Sequence, residues 1–276
     1  MAEKARFFPR VLQQSPVVTR VAEHRTFDVA GKRVVVTGGS SGIGAASGAR
    51  LARAGADVVL VARREEDLLE RVEEIRAAGG SASHEVADLT DVAAIDDLIE
   101  RLNSSGGVDI LVNNAGHSIR RPVVKSKMHD YERQISLNYL APVRLTLGLL
   151  PGMLERGDGH IINVSTWAVM LPGAPLFAGY VASKSALTSF GDSLHAELAV
   201  KGVTVTTVFP PLVRTPMITP TAAFDGAPSL SAEEVAEWVH RAAVHRPREI
   251  APRVSHIFRA VDAALPGIAR RAVTRR

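Results

Sequence analysis

Short apolar runs alternate with longer amphipathic stretches along this chain, and the alternation predicts its architecture. RVVVT (33–37) is short and β-branched, the pattern of a parallel strand buried on both faces. A glycine turn and a helix from about Gly42 to Ala54 follow. ADVVLVA (56–62) reads as a second strand, with Glu65–Ala78 as a helix ended by Gly79-Gly80. SASHEVA (81–87) is the third strand, Asp91–Asn103 a helix, and VDILVNNAG (108–116) a fourth strand running into a loop. A long helical segment covers roughly Met128–Leu154, with Pro142 as a kink and Pro151 near its end. HIINVS (160–165), a helix over Tyr180–Val200 and VTVTTVF (203–209) complete the series. Repeated strand–helix units with right-handed crossovers predict an α/β fold, a doubly wound parallel sheet covered by helices on both faces. No internal boundary interrupts it, so a single domain spans 31–245, flanked by segments 1–30 and 246–276.

Composition narrows the classes. The 276 residues contain no cysteine, which excludes a disulfide framework, a thiolate nucleophile and a Cys-ligated zinc site. No apolar run reaches the ~18 residues of a membrane-spanning helix, and the N-terminus lacks the apolar core of a signal peptide. A cytoplasmic protein is the expectation. The net charge of +4 is unevenly placed: residues 241–276 carry nine Arg against Glu249 and Asp262, net +7, leaving −3 for the rest. A basic tail on an acidic body is not the groove-facing charge of a nucleic-acid protein, so no nucleic-acid partner is expected. The nine histidines show no H-E-x-x-H spacing, and no metal site is expected.

Candidate chemistry begins directly after the first strand, at Thr37-Gly38-Gly39-Ser40-Ser41-Gly42-Ile43-Gly44. Glycines here let the chain turn tightly and let a pyrophosphate approach the backbone, and Gly44 allows close packing of the helix on the sheet. The free N–H groups of the helix N-terminus then face the negative charge. The spacing is T-G-x-x-x-G-x-G. With Asn113-Asn114-Ala115-Gly116 after the fourth strand, Asn138 in SLNYLAP and Tyr180-Val181-Ala182-Ser183-Lys184, the chain over about 31–245 resembles the short-chain dehydrogenase/reductase family. That resemblance implies a Rossmann-type sheet and a nicotinamide cofactor.

The cofactor's identity turns on the end of the second strand. Folds of this type commonly place an acid there to hold a ribose 2′-hydroxyl; this chain has Ala62 followed by Arg63-Arg64. Arginines at a helix start oppose the dipole, but their forked donors suit a 2′-phosphate, so NADP(H) is favoured over NAD(H). The resemblance further implies Asp88 and Leu89 against the adenine, and Asn114, Ala115 and Gly116 along the adenine ribose. It also places the Val213 backbone at the carboxamide and Thr215 at the pyrophosphate, although Pro211 stands where the family usually has glycine.

Tyr180 and Lys184 are one helical turn apart on one face. An ammonium beside a phenol favours the phenolate, so the pair is expected to bring the tyrosine's pKa down from near 10. By the resemblance, Tyr180 exchanges a proton with a carbonyl or alcohol oxygen, Lys184 also holds the nicotinamide ribose, and Asn138 positions a water. The family's serine stands thirteen positions before the tyrosine, which here is Trp167; aligning on the strand gives Thr166, with Ser165 as the alternative on the opposite side of the strand.

The strand-end loops carry Ser118-Ile119-Arg120-Arg121, Trp167–Pro172 and Leu212–Leu230, whose apolar content suggests a hydrophobic substrate. NNAGHSIRR, HDYERQISLNYLAPVRLTLGLLP and PLVRTPMITPT are similar to the reductase domain of actinobacterial fatty acyl-CoA and fatty-aldehyde reductases, which implies a long-chain aldehyde or thioester-derived substrate. The family also implies a homodimer or homotetramer through the helices bearing Asn138 and Tyr180. HIFRAVDAALPGIARRAVTRR places Ile257, Phe258, Val261, Leu265 and Ile268 among arginines, a pattern that suits peripheral membrane contact or packing on the body. Two alternatives stand beside this reading: a non-catalytic NADP(H)-binding sensor or scaffold, and a reductase of steroid, sugar or polyketide carbonyls.

Overall fold

A computed structural model describes residues 16–18, 26–219 and 221–264. Its strands are β1 (Pro16–Val18), β2 (Arg33–Thr37), β3 (Asp57–Ala62), β4 (Ser81–Val86), β5 (Ile110–Asn113), β6 (Gly159–Val164), β7 (Val203–Val208) and β8 (Glu249–Pro252). They form one sheet in the order β1-β8-β7-β6-β5-β2-β3-β4. Strands β2 to β8 run parallel, and β1 pairs antiparallel with β8 in the register Val17 to Ala251. The helices are α1 (Gly42–Arg53), α2 (Glu65–Ala77), α3 (Val92–Ser104), α4 (Met128–Ile135), α5 (Ala141–Arg156), α6 (Ala178–Leu198), α7 (Ala232–His245) and α8 (Arg253–Ala264).

The alternation of side chains along each strand feeds two cores. Val34 and Val36 join Leu51 of α1, Val72 of α2 and Val239 of α7 on one face. Val35, between them, joins Leu98 of α3, Leu149 of α5 and Leu194 of α6 on the other. This is the doubly wound parallel sheet expected from the sequence. Strand order reverses between β2 and β5, and the crevice beyond their carboxyl ends is where such sheets bind ligands. Among the described residues no helix is long and apolar enough to cross a membrane.

The sheet reaches past the 31–245 boundaries on both sides, because β1 and β8 lie in the segments read as flanks. β8 joins the body by pairing with β7, and Arg246, just before it, stacks its guanidinium 3.8 Å over the Phe27 ring and pairs with Asp158 at 2.7 Å. Two helix boundaries also differ. Pro142 does not kink the long helix but sits at the N-terminal turn of α5, which follows a π-helical turn at Ser136–Leu140. Pro151 lies inside α5, which runs on to Arg156 and ends at left-handed Gly157. Of the basic tail, α8 covers the first part, while residues 265–276, with Leu265 and Ile268, lie outside the described residues.

Candidate active site

The turn after β2 is built by steric necessity. Gly38 and Gly42 adopt φ of 67° and 56°, and a Cβ on Gly44 would lie 2.1 Å from the Gly38 carbonyl oxygen and 2.6 Å from Asn114 Nδ2. Thr37 Oγ1 donates to the Val112 carbonyl at 3.1 Å and accepts from the N–H groups of Asn114 and Ala115 at 2.9 and 3.0 Å. Asn114 Nδ2 donates back to the Thr37 carbonyl at 2.9 Å. These bonds staple the loop after β5 to the turn after β2, across the switch point. Ser41 caps α1 without a side-chain bond, and no acid stands in the first turn. The first-turn N–H groups thus form an electropositive cradle of the kind that suits a phosphate group. Thr215 stands opposite, its methyl 3.1 Å from where a Gly42 Cβ would be. Ile43 packs its side chain on the core.

At the end of β3, Arg63 lies 3.7 Å from the Asp88 carboxylate. Burial works to raise the Asp88 pKa, but two bonds from Thr90 and the Arg63 charge leave it below the usual value. Arg64 turns to Asp67 on its own helix instead. Leu89 is buried in the core with its side chain turned inward. Val213 is buried behind a backbone bridge to Leu230, and Thr215 Oγ1 reaches the Val213 carbonyl at 3.5 Å. The turn tolerates Pro211 because neighbouring backbone groups carry the bonds: Trp167 N donates to the Pro210 carbonyl at 3.0 Å and Leu230 N to that of Leu212 at 2.9 Å.

Thr166, Tyr180 and Lys184 converge beyond β6. The Thr166 hydroxyl faces the Tyr180 phenol closely enough to lower its pKa, and accepts from Ala168 N at 3.3 Å. Ser165 points the other way, to the Lys184 carbonyl at 3.4 Å and Thr188 Oγ1 at 3.0 Å, as strand alternation requires. Lys184 is buried, and its Nζ donates to the Val164 carbonyl at 2.8 Å. Asn138 is fully buried on the π-helical turn. Its Nδ2 donates to the His117 carbonyl and to Ser183 Oγ, each at 2.9 Å, and its Oδ1 accepts from His117 N at 2.7 Å. Gly116 passes between them, its Cβ position 3.2 Å from Asn138 Oδ1 and 3.4 Å from Lys184 Nζ. The Asn138 amide therefore grips the backbone of the β5 loop.

The electrostatics also depart from the expectation of a lowered phenol. Burial pushes Tyr180 up to about 12, and the Thr166 hydroxyl offsets only part of this. Burial lowers the Lys184 ammonium to about 8. Desolvation dominates both shifts. A stability cost follows. An unfolded lysine holds its proton to 10.5, so the cost of burying the charge is full below about pH 8 and vanishes above about 10.5. Lys184→Met is expected to raise stability by on the order of 3 kcal/mol at pH 7, with the gain shrinking as pH rises through that window. Urea melts of both proteins at pH 7 and pH 10 check this; an equal difference at both would refute it.

Sequence reasoning missed several neighbours. The Ser183 hydroxyl and the His117 and Val164 backbones carry no motif of their own. Phe177 stands edge-on to Tyr180 with centroids 6.4 Å apart and stacks on Phe224 at 6.2 Å, forming an apolar wall at the mouth. Leu176, just before it, takes φ 72°, a strained conformation held by Arg121 N donating to its carbonyl at 2.8 Å.

Known proteins resemble this chain over nearly its whole length. A short chain dehydrogenase family model matches residues 32–225. A Mycobacterium tuberculosis protein named fatty acyl-CoA reductase is 50% identical over 262 residues, covering 94% of this chain and 87% of its own. An Acinetobacter baylyi protein of the same name is 46% identical, over 87% and 82%. A metagenomic short-chain oxidoreductase, solved in complex with NADP, is 34% identical with a TM-score of 0.69, over 79% of this chain and 92% of that one. With its glycine cradle and its Thr166, Tyr180 and Lys184 brought together on a doubly wound sheet, the chain belongs to the short-chain dehydrogenase/reductase family of oxidoreductases.

Proposed function

We propose that this protein is an NADP(H)-dependent reductase that interconverts a carbonyl and an alcohol on a hydrophobic, fatty acyl-derived substrate. The observation that carries the reading is the convergence of Thr166 and Tyr180 with a buried Lys184 at the end of β6. The bound reduced nicotinamide supplies hydride to the substrate carbon. Tyr180, a phenol kept protonated at neutral pH, donates its proton to the carbonyl oxygen as negative charge develops there. Thr166 orients that oxygen and the phenol together. The Lys184 ammonium stabilises the phenolate left behind and would hold the ribose of a bound cofactor. Asn138 holds the backbone of the β5 loop against this group through His117.

The cradle of Gly38, Ser40, Ser41, Gly42, Ile43 and Gly44 would hold the pyrophosphate with Thr215. Asp88, Asn114, Ala115, Gly116 and the backbone of Leu89 would flank the adenosine, and the Val213 backbone would meet the carboxamide. Arg63 and Arg64, with Ala62 in place of an acid, support the preference for a 2′-phosphate. The two relatives named fatty acyl-CoA reductase and the Phe177–Phe224 wall support the choice of substrate. NADPH oxidation followed with aliphatic aldehydes and acyl-CoA thioesters of rising chain length tests the whole; no turnover with any of them would refute it. Arg63→Ala with Arg64→Ala is expected to weaken NADPH binding by roughly 10- to 100-fold while NADH binding barely changes. Fluorescence titration with both cofactors measures the difference, and equal losses would remove the 2′-phosphate assignment.

A further inference from the structure

The loop between β5 and α4 carries apolar side chains that the fold leaves in the open. Within six residues Val123 is 62% exposed, Val124 92% and Met128 70%. They occupy a short 3₁₀ turn, Val123–Lys125, and the first position of α4. Large apolar side chains scattered singly on a surface need no explanation, but a contiguous group marks a contact. Cations are interleaved with them. Arg120, Lys125 and Lys127 make no ion pair with any described residue, and all three are exposed. The nearby Asp130 carboxylate is already engaged: it is buried, pairs with Arg121 at 2.5 Å and accepts from Lys127 N at 3.0 Å. Asp130 thus neutralises Arg121, and Arg120, Lys125 and Lys127 are left without an ion-paired acid among the described residues.

We propose that residues 120–128 dock on an anionic lipid surface. Apolar side chains between lysines have the composition of an interfacial segment, in which the apolar groups enter the acyl boundary and the ammonium groups meet headgroup phosphates. The location gives the contact a purpose. The same loop is bonded through His117 to Asn138, and through Arg121 N to the Leu176 carbonyl, four residues before Tyr180. Docking would set the mouth of the site, with its Phe177–Phe224 wall, against the bilayer. The docking stands on the exposed run and its charges, and does not require the substrate reading above.

Flotation of the full-length protein with phosphatidylcholine vesicles, with and without phosphatidylglycerol, tests it. The wild type is expected to float with the anionic vesicles only, and less as salt is raised. Val123→Ser with Val124→Ser and Met128→Ser, and separately Lys125→Glu with Lys127→Glu, are each expected to cut partitioning roughly tenfold or more. Both variants should keep the wild-type melting temperature and NADPH affinity, which separates lost docking from damaged folding. Four results would overturn the proposal: no flotation of the wild type, equal flotation of wild type and variants, displacement from vesicles by free coenzyme A, or a fall in oligomer size in the serine variant. Because flotation needs no turnover, failure of the reductase reading would leave this outcome legible.

Discussion

Tyr180→Phe is expected to slow NADPH-dependent carbonyl reduction by roughly 10²- to 10⁴-fold, the range that a positioned general acid contributes, while NADPH affinity stays unchanged. The phenylalanine keeps the ring against Phe177 and removes only the proton donor. Burial makes the loss severe, because the Tyr180 phenol at about 12 is fully protonated at neutral pH and no other acid of the site is bonded to it. Thr166→Ala and Ser165→Ala sharpen the result. Thr166 faces the phenol and lowers its pKa, whereas Ser165 bonds the Lys184 carbonyl and Thr188 behind the strand. The first substitution is expected to lower kcat and the second to leave it near wild type. Steady-state kinetics with a saturating aldehyde measure all three, and a Tyr180→Phe enzyme with wild-type kcat would end the assignment.

Gly44→Ala is expected to abolish measurable NADPH binding and to destabilise the fold by about 3 kcal/mol or more, the upper end for overpacking a rigid site. The added methyl would stand 2.1 Å from a backbone oxygen, and neither Gly38 nor the stapled Asn114 can yield without moving α1 off the turn. The N–H groups that form the cradle move with it. Gly79→Ala is the control: that residue has φ 83° but nothing within 4 Å of a Cβ, so it carries backbone strain alone and lies far from the cradle in sequence. Thermal melts and fluorescence titration of both variants separate the two effects. Tight NADPH binding by the Gly44 variant would show that the cradle is not where the phosphates sit.

The six strands read from sequence, 33–37 to 203–209, all appear within a few residues, because each is an apolar β-branched run with a turn or helix signal at its end. β1 and β8 were not legible. PVV and EIAP are too short to carry a pattern, and they are strands only because they pair with each other and with β7, contacts distant in sequence. Helix α7 did leave a signal that went unread: Ser231 and Glu234 form a reciprocal capping box at 3.2 and 2.7 Å. In the candidate site, residue types and spacing were legible but directions were not. The pairing of Thr166 rather than Ser165 with Tyr180 depends on which way the β6 end faces. The inward aim of Asn138 depends on a π-helical turn that no residue in SLNYL announces. The upward displacement of the phenol depends on desolvation, which a one-dimensional string does not express.

The β1–β8 pairing carries a consequence for how the sheet is assembled. Pro16–Val18 and its partner Ile250–Pro252 stand on either side of all the other strands in the sequence. The sheet's outer border can therefore close only once both segments are present, and the loop it closes contains every other strand of the sheet, a slow step of high contact order. Until then β8's free rim is open to strand addition from other nascent chains, so the N-terminal strand acts as the last stitch that seals a seam.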